Sequence, residues 1–204
     1  MIRYNPHYKR FLDIILSAIA FLLLSPVIVF TCILICIDSK GSPFFIQARI
    51  GKNMTPFRLI KFRSMTCEEN ASEGQFNPGN NCRVTRLGMI MRRTKMDELP
   101  ELFNIFKGDM SIVGPRPEVE RYTKYHPLEF EEIMKLRPGL SDFASIKYID
   151  EETILASQAD PEKFYIDLIL PDKLRLAREY IKNISWKTDL RIILDTIKSI
   201  TAKL

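Results

Sequence analysis

Residues 11–37, FLDIILSAIAFLLLSPVIVFTCILICI, form an almost continuous apolar run near the start of the 204-residue chain. As a helix, the part from Ile14 to Ile37 would be about 36 Å long, which exceeds the roughly 30 Å hydrocarbon core of a bilayer. The run is too long for a cleaved signal peptide, and no small-residue cleavage site follows it. The sequence therefore predicts a membrane anchor in residues 1–40 and a separate cytoplasmic domain in residues 41–204.

Two features argue against a simple crossing of the membrane by this run. Pro26 lies in its middle, where a proline removes a backbone hydrogen bond and kinks a helix, and the Ser25 hydroxyl can bond a carbonyl that the kink frees. Positive residues prefer the cytoplasmic side, yet both flanks are basic: Arg3, Lys9 and Arg10 precede the run, and Lys40, Arg49 and Lys52 follow it. We therefore expect a re-entrant helix hairpin with both flanks in the cytoplasm. A straight single-pass helix and a buried core helix of a soluble protein are the alternatives.

The composition of the whole chain indicates which partners suit it. A net charge of +5 and a pI near 9.0 favour anionic partners, such as nucleic acid, anionic lipid or phosphorylated small molecules. Cys67 and Cys82 have neither a CxxC partner nor paired histidines, and the other two cysteines lie inside the apolar run. Neither a zinc site nor a disulfide framework is therefore expected, which fits a reducing cytoplasmic setting.

The remaining sequence predicts a mainly helical α+β fold. Phe44–Ile50 and Pro56–Met65 flank a turn signal and predict a β-hairpin, while Met110–Val113 predicts a short buried strand. Helical spacing is found in Arg86–Met96 and again from Pro100 to Gly108. Near the end, one helical face carries an apolar stripe: Trp186, Leu190, Ile193, Leu194, Ile197 and Ile200. Such a stripe usually packs in a core, and an amphipathic helix lying in the membrane interface is the second interpretation.

Asp97 and Glu98 are the best candidates for chemistry. They are expected at or just before a helix N-terminus, where the helix dipole and free backbone N–H groups favour anions. Acidic residues commonly cap helices, so this position alone would indicate only a structural role. Basic residues crowd the pair, however: Arg86, Arg92, Arg93, Lys95, Lys107 and Arg116. This pattern is typical of a site that binds a pyrophosphate and uses carboxylates to hold a cation.

Two more basic residues are candidates for phosphate binding. Arg116 stands between Pro115 and Pro117, which restrict its backbone, and a guanidinium presented in this way can bind phosphate oxygens in a bidentate manner or form a structural salt bridge. Lys61 alternates with apolar residues on a predicted strand, so it faces either phosphates or solvent. The sequence contains no P-loop, no GxGxxG and no Ser/His/Asp arrangement.

Three motifs together resemble the bacterial sugar transferase family, the monotopic phosphoglycosyl transferases that start polyprenyl-linked glycan assembly. They are KFRSM at 61–65, DELPELFN at 97–104 and KGDMSIVGPRP at 107–117. The resemblance extends from the anchor to about Gly139 and more loosely to the end. It implies the small form of the family, in which a re-entrant anchor carries a catalytic domain on the cytoplasmic face of the bacterial inner membrane.

The resemblance also implies an activity and roles for particular residues. The enzyme would move a sugar 1-phosphate from a UDP-sugar to polyprenyl (undecaprenyl) phosphate and release UMP, with Mg²⁺ as cofactor. Asp97 matches the family's nucleophile, which forms a covalent phosphosugar intermediate. Glu98 matches its partner, expected in metal binding or in handling the acceptor's proton. Arg92 and Arg116 match phosphate-contacting positions, and Lys61 and Arg137 are weaker matches.

One segment departs from the common family pattern, and two other function classes stay open. After Arg137-Pro138-Gly139 the chain continues with LSDFASI (140–146) in place of a glycine and an aromatic, Gln-containing stretch, so the resemblance does not identify the sugar. A non-catalytic membrane scaffold of a glycan-assembly complex is the main alternative. A nucleic-acid-binding membrane protein is the third hypothesis, and it rests only on the basic charge, because the chain lacks a helix-turn-helix signature or an aromatic-basic groove pattern.

Overall fold

A computed structural model describes residues 5–66 and 84–203 of the chain. The predicted loop Glu68–Asn81 and the cysteines Cys67 and Cys82 lie outside these residues. The described elements, in order, are α1 (Pro6–Asp38), β1 (Phe44–Ile50), β2 (Pro56–Phe62), α2 (Arg86–Thr94), α3 (Glu101–Lys107), β3 (Ser111–Val113), α4 (Glu120–Thr123), α5 (Pro127–Ile133), β4 (Gly139–Ser141), α6 (Phe143–Lys147), α7 (Glu151–Ala156), α8 (Pro161–Phe164), α9 (Leu170–Lys182) and α10 (Trp186–Thr201). The predicted mainly helical α+β class is confirmed.

Helix α1 contains the apolar run, and we call it the anchor helix. By length and composition it could cross a membrane, and only 17% of its most apolar 18-residue window is buried against the rest of the protein. Leu22 is 74% exposed, whereas Asp13 on the opposite side is 4% exposed. The interpretation as a buried core helix is therefore wrong, because most apolar side chains of α1 face away from the protein.

The anchor helix is one continuous element through Pro26, so the helix hairpin that the sequence predicts is not confirmed. A proline at position 26 leaves the Leu22 carbonyl without its usual backbone donor. The Ser25 hydroxyl donates to that carbonyl at 2.8 Å, as the sequence predicted, and the lost hydrogen bond is replaced inside the helix. Re-entrant insertion into a membrane stays a prediction.

The anchor helix contacts the following domain along its whole length. Near its start, Arg10 donates to the carbonyls of Ile105 at 2.7 Å and Phe106 at 2.9 Å, which belong to the last turn of α3. Asp13 accepts from the Ser111 hydroxyl at 2.8 Å. At its end, Arg63 donates to the backbone carbonyls of residues 39 and 40. One domain therefore holds both ends of the helix.

The two small sheets carry much of the site. Strands β1 and β2 form the predicted antiparallel hairpin, with Phe44 opposite Phe62 and Ile50 opposite Pro56. Strands β3 and β4 pair in parallel, with Ser111 next to Gly139. The backbones of these two segments approach so closely that a Cβ on Gly139 would lie 2.1 Å from the backbone nitrogen of Gly114. Only glycine fits there, and this contact fixes the start of the Pro115–Pro117 loop.

The apolar stripe of α10 does not pack in the core as a whole. Trp186, Leu190, Leu194 and Ile197 are all about half exposed, and the helix buries Asp189 and Ile192 instead. The buried face of α10 packs on α6, β3 and β4. The core interpretation is therefore wrong for most of the stripe, and a membrane-interface position for this helix stays a prediction.

Candidate active site

Asp97 and Glu98 lie in a single 3-10 turn, Met96–Glu98, between α2 and α3. Helix α2 is capped by the Thr85 hydroxyl, which accepts from the backbone N–H of Gly88 at 2.9 Å. A Cβ on Gly88 would lie 2.0 Å from the Ser64 carbonyl oxygen, so glycine lets α2 pack directly against the end of the hairpin. Lys95 then takes a left-handed conformation with φ 57° and ends the helix. The acidic pair therefore precedes α3, as predicted.

Glu98 is held by two cations. Arg116 donates to both of its carboxylate oxygens, to Oε2 at 3.3 Å and to Oε1 through a short contact. Lys61 Nζ donates to Oε1 at 2.8 Å. Burial alone would raise the pKa of Glu98, but the charges of Arg116 and Lys61 hold it well below its usual range. Glu98 is therefore an anion, and its oxygens are already occupied by protein donors.

Asp97 has a different environment from its neighbour. Its Oδ1 is buried and accepts no hydrogen bond from the described residues. Burial raises the pKa of Asp97, and the positive charge of Lys61 opposes that effect. A desolvated carboxylate without a donor is costly in free energy, and this cost is offset when a cation or an electrophile binds it. Of the acidic pair, Asp97 therefore carries the oxygen that is left available to a cation or an electrophile.

Glu101, to which no role was assigned from the sequence, completes the group of charges. It is 1% exposed, and its Oε1 lies 3.3 Å from Lys61 Nζ. Burial raises the pKa of Glu101 to about 7, against the charge of Lys61. Its position four residues after Asp97 was the available signal, because i, i+4 residues share a helical face. We call Lys61, Asp97, Glu98, Glu101 and Arg116 the charged cluster.

The other predicted site residues divide into one that lies beside the charged cluster and one that does not. Arg92 donates to Ser64 Oγ at 2.9 Å and to Glu152 at 2.8 Å, and its charge acts on Asp97. Arg137 instead donates to the Gly108 carbonyl at 2.9 Å, at the C-terminus of α3. The structure therefore places Arg92 beside the charged cluster. Arg137 lies at the opposite end of α3 from the cluster.

The Arg116 loop is fixed from several directions. The Gly114 amide donates to Ser141 at 3.1 Å, and the Pro115 carbonyl accepts from Gly139 at 2.9 Å. The Arg116 amide donates to Asp142 Oδ2 at 3.3 Å, and its guanidinium also donates to the Leu140 carbonyl at 3.1 Å. Glu98 raises the pKa of Arg116 well above its usual range despite burial. The guanidinium is thus a fixed, permanent cation.

The carboxylates fit a magnesium ion only in part. Within residues 5–66 and 84–203, no group of three His, Cys, Asp or Glu side chains is arranged to hold a metal. Asp97 Oδ1 is free to be a ligand, whereas both oxygens of Glu98 accept from Arg116 or Lys61. Mg²⁺ is commonly held by one or two carboxylates together with substrate phosphates. The arrangement suits that mode, with Asp97 as the protein ligand.

Comparison with known proteins gives a consistent set of relatives. A family model described as bacterial sugar transferase matches residues 4–203. The chain is 37% identical over 196 residues to the UDP-N-acetylgalactosamine-undecaprenyl-phosphate N-acetylgalactosaminephosphotransferase of Aeromonas hydrophila. It is 31% identical over 195 residues to the UDP-glucose:undecaprenyl-phosphate glucose-1-phosphate transferase of Caulobacter vibrioides. It is also 34% identical over 201 residues to the exopolysaccharide production protein PSS of Rhizobium leguminosarum bv. phaseoli.

The relatives differ in how much of their own length is matched. Each of the three alignments covers 94% of this chain. The chain spans 43% of the Aeromonas protein, 69% of the Caulobacter protein and 94% of the Rhizobium protein. Residues 4–203, which the family model matches, contain the anchor helix and the charged cluster.

Proposed function

The chain belongs to the bacterial sugar transferase family, and on that premise we propose that it transfers a sugar 1-phosphate from a UDP-sugar to undecaprenyl phosphate and releases UMP. Two relatives are named for this reaction with different sugars. The observation that carries the proposal is the contrast within the acidic pair: both oxygens of Glu98 accept from Lys61 or Arg116, whereas Asp97 keeps a buried oxygen that accepts from none of the described residues.

In the first step, an Asp97 oxygen attacks the phosphorus that bears the sugar. A bond forms between that oxygen and phosphorus, the phosphorus–oxygen bond to the UMP phosphate breaks, and UMP leaves with the electron pair. Burial raises the pKa of Asp97, and a more basic carboxylate is a better nucleophile while it remains ionised. Splitting one displacement into two steps in this way lowers each barrier.

In the second step, an oxygen of undecaprenyl phosphate attacks the same phosphorus. The bond to Asp97 breaks, the carboxylate is regenerated, and the product is a sugar linked to the lipid through a pyrophosphate. Both steps gather negative charge at one phosphorus. The charges of Lys61 and Arg92 act on Asp97, and Arg116 is held at the adjacent Glu98. Preorganised positive charge of this kind stabilises such a transition state.

Magnesium belongs to the proposal as the cofactor that would neutralise the donor pyrophosphate and support UMP as a leaving group. The unpartnered Oδ1 of Asp97 would hold it, together with phosphate oxygens of the donor. Glu98 is a weaker candidate as ligand, because its oxygens already accept from Lys61 and Arg116. Its role here is to hold these two cations in place beside Asp97.

We further propose that the anchor helix enters the membrane from the cytoplasmic side and does not cross it. Its exposed apolar side chains suit lipid, while Arg10 near its start and the carbonyls at residues 39 and 40 all contact the following domain. A full crossing would put these two ends on opposite sides of the bilayer. The half-exposed stripe of α10 would lie in the interface of the same leaflet.

A panel of UDP-sugars tests the activity. The full chain would be incubated with Mg²⁺, undecaprenyl phosphate and one of several UDP-hexoses or UDP-N-acetylhexosamines, and UMP release would be measured. We expect UMP release and a matching lipid-linked product with at least one donor. Membrane-bound protein that releases UMP from no donor would contradict the proposal and favour the non-catalytic scaffold.

A further inference from the structure

Glu118 is a buried carboxylate directly behind the Arg116 loop and outside the charged cluster. It follows Pro117 and is 7% exposed. Its Oε1 accepts from Arg49 Nη1 at 3.1 Å, and its Oε2 accepts from the Tyr165 hydroxyl at 2.6 Å. A buried carboxylate is costly unless it is paired and hydrogen-bonded. The surroundings of Glu118 meet that requirement, so its position is well defined.

These partners tie Glu118 to two distant parts of the chain. Arg49 belongs to β1, and the neighbouring Ile50 amide donates to the Glu118 carbonyl at 2.8 Å. Tyr165 is the first residue of a five-residue π-helical turn between α8 and α9, an uncommon conformation that is often found near functional sites. Burial and the Glu118 carboxylate raise the pKa of Tyr165 well above its usual range, so its hydroxyl keeps the proton that it donates.

The segment between Glu118 and the charged cluster is short and stiff. Arg116 is two residues before Glu118, and the prolines on both sides restrict its backbone. The Asp142 carboxylate holds the Arg116 amide from the other side. With so little freedom in the loop, a displacement at Glu118 is passed to Arg116, whose guanidinium must reach Glu98 to hold it.

We propose that Glu118, held by Arg49 and Tyr165, is a positioning residue that sets where the Arg116 guanidinium meets Glu98 and the donor phosphates. It contacts neither Asp97 nor Glu98 in the hydrogen bonds of the described residues, and it acts through Arg116 alone. The inference rests on the proposed function, because the donor phosphates are the ligand that Arg116 would bind.

A double-mutant cycle between Tyr165→Phe and Arg116→Lys tests this role. Tyr165→Phe removes one hydroxyl and keeps the ring in the core, so Glu118 loses a hydrogen bond and no packing volume is lost. We expect kcat/KM for the UDP-sugar to fall about tenfold, while KM for undecaprenyl phosphate is unchanged. In the Arg116→Lys background the same substitution should cost less than about twofold, because the group that it positions has been replaced.

Tyr148→Phe is the matched control. The Tyr148 hydroxyl also donates to a carboxylate, that of Asp172 at 2.8 Å, but this pair lies between α6 and α9, away from the Arg116 loop. We expect Tyr148→Phe to leave kcat/KM for the donor unchanged in both backgrounds. Equal effects of Tyr165→Phe in the wild-type and Arg116→Lys backgrounds would overturn the proposal while leaving the transferase activity in place.

Thermal unfolding of the same variants keeps the two proposals separable. If the wild-type chain turns over no donor, the proposed function fails and the positioning role is decided by stability alone. Tyr165→Phe and Arg116→Lys should then be non-additive in the free energy of unfolding, because both act on one loop. Additive losses, equal to the sum of the two single variants, would overturn the positioning role.

Discussion

The anchor helix and the charged cluster depart from the usual distribution of side chains in opposite ways. In the anchor helix the apolar side chains face outward, with Leu22 at 74% exposed. In the charged cluster the ionised side chains face inward, around Glu98 and Arg116. A soluble protein normally buries the first kind and exposes the second. Each region is therefore incomplete in water, and each indicates the partner that completes it.

The two regions differ in how exacting that partner must be. Lipid tails satisfy any apolar surface, so the outward face of α1 needs only to remain apolar. The cluster is defined by distances: Lys61 lies at 2.8 Å and Arg116 at 3.3 Å from Glu98, and Asp97 Oδ1 accepts no hydrogen bond from the described residues. Conservative substitutions should thus be tolerated on the anchor helix and not in the cluster. The predictions that follow test this difference, beginning with the largest effect.

Replacing the nucleophile should have the largest effect. Asp97→Asn keeps the shape of the side chain and removes its nucleophilic oxygen, so the rate of UMP release should fall by about 10³-fold or more. Asp195→Asn, on the outer side of α10, is the control and should keep full activity. Both variants should be recovered in the membrane fraction to the same extent. Substantial turnover by Asp97→Asn would show that the cluster works without this carboxylate.

Removing Arg116 should have the next largest effect. Arg116→Ala leaves the buried Glu98 with Lys61 as its remaining partner, and breaking a buried pair typically costs about 3 kcal/mol of unfolding free energy. The donor kcat/KM should also fall by about 10²-fold. Denaturant unfolding and UMP release measure the two losses. Arg191→Ala removes an exposed ion pair with Asp195 and should change neither quantity.

A charge on the outward face of the anchor helix should affect location and not chemistry. Leu22→Asp places a charge at the centre of the apolar run, which costs about 3 kcal/mol in a bilayer and should lower membrane partitioning by about 10²-fold. Leu128→Asp is the matched control, since Leu128 on α5 is 76% exposed. Flotation of the variants with lipid vesicles measures the difference. Equal loss for both would mean that the anchor helix has no special relation to lipid.

The smallest of these effects concerns the pH dependence of stability. The pKa of Glu101 is raised to about 7 in the fold, so the folded protein binds a proton that the unfolded chain has released, and stability falls as pH rises from about 4.3 to about 7. Glu101→Gln should remove this loss. The variant should gain about 2 kcal/mol relative to wild type between pH 5 and pH 8. Glu179→Gln, at a half-exposed side chain on α9, should show no such gain. A difference between Glu101→Gln and wild type that does not change with pH would contradict the assignment.

The local elements of the fold could be predicted because their signals lie within a few residues. The turn at residues 51–53 between two apolar segments predicts β1 and β2, and Phe44–Ile50 is a strand as expected. Helix α2 begins at the predicted Arg86, and α3 ends before the predicted Gly108. The Ser25 hydrogen bond was also predicted from the neighbouring proline.

The features that escaped prediction depend on contacts between distant parts of the chain. Strand β4 has only three residues. It pairs with β3, the strand that immediately precedes the Arg116 loop, although the two strands are far apart in the sequence. The fit of Glu101 beneath Lys61 requires the hairpin to lie over α3, which no local pattern states. The core interpretation of the α10 stripe failed for the same reason, because periodicity gives an apolar face but not the partner of that face.

Mass spectrometry of the enzyme incubated with donor in the absence of undecaprenyl phosphate tests the central claim most directly. The account predicts that UMP is released in about one equivalent per enzyme, and that the peptide containing Asp97 gains the mass of one phosphosugar on that residue. Release of UMP only when the lipid phosphate is present, with the Asp97 peptide unmodified, would contradict it.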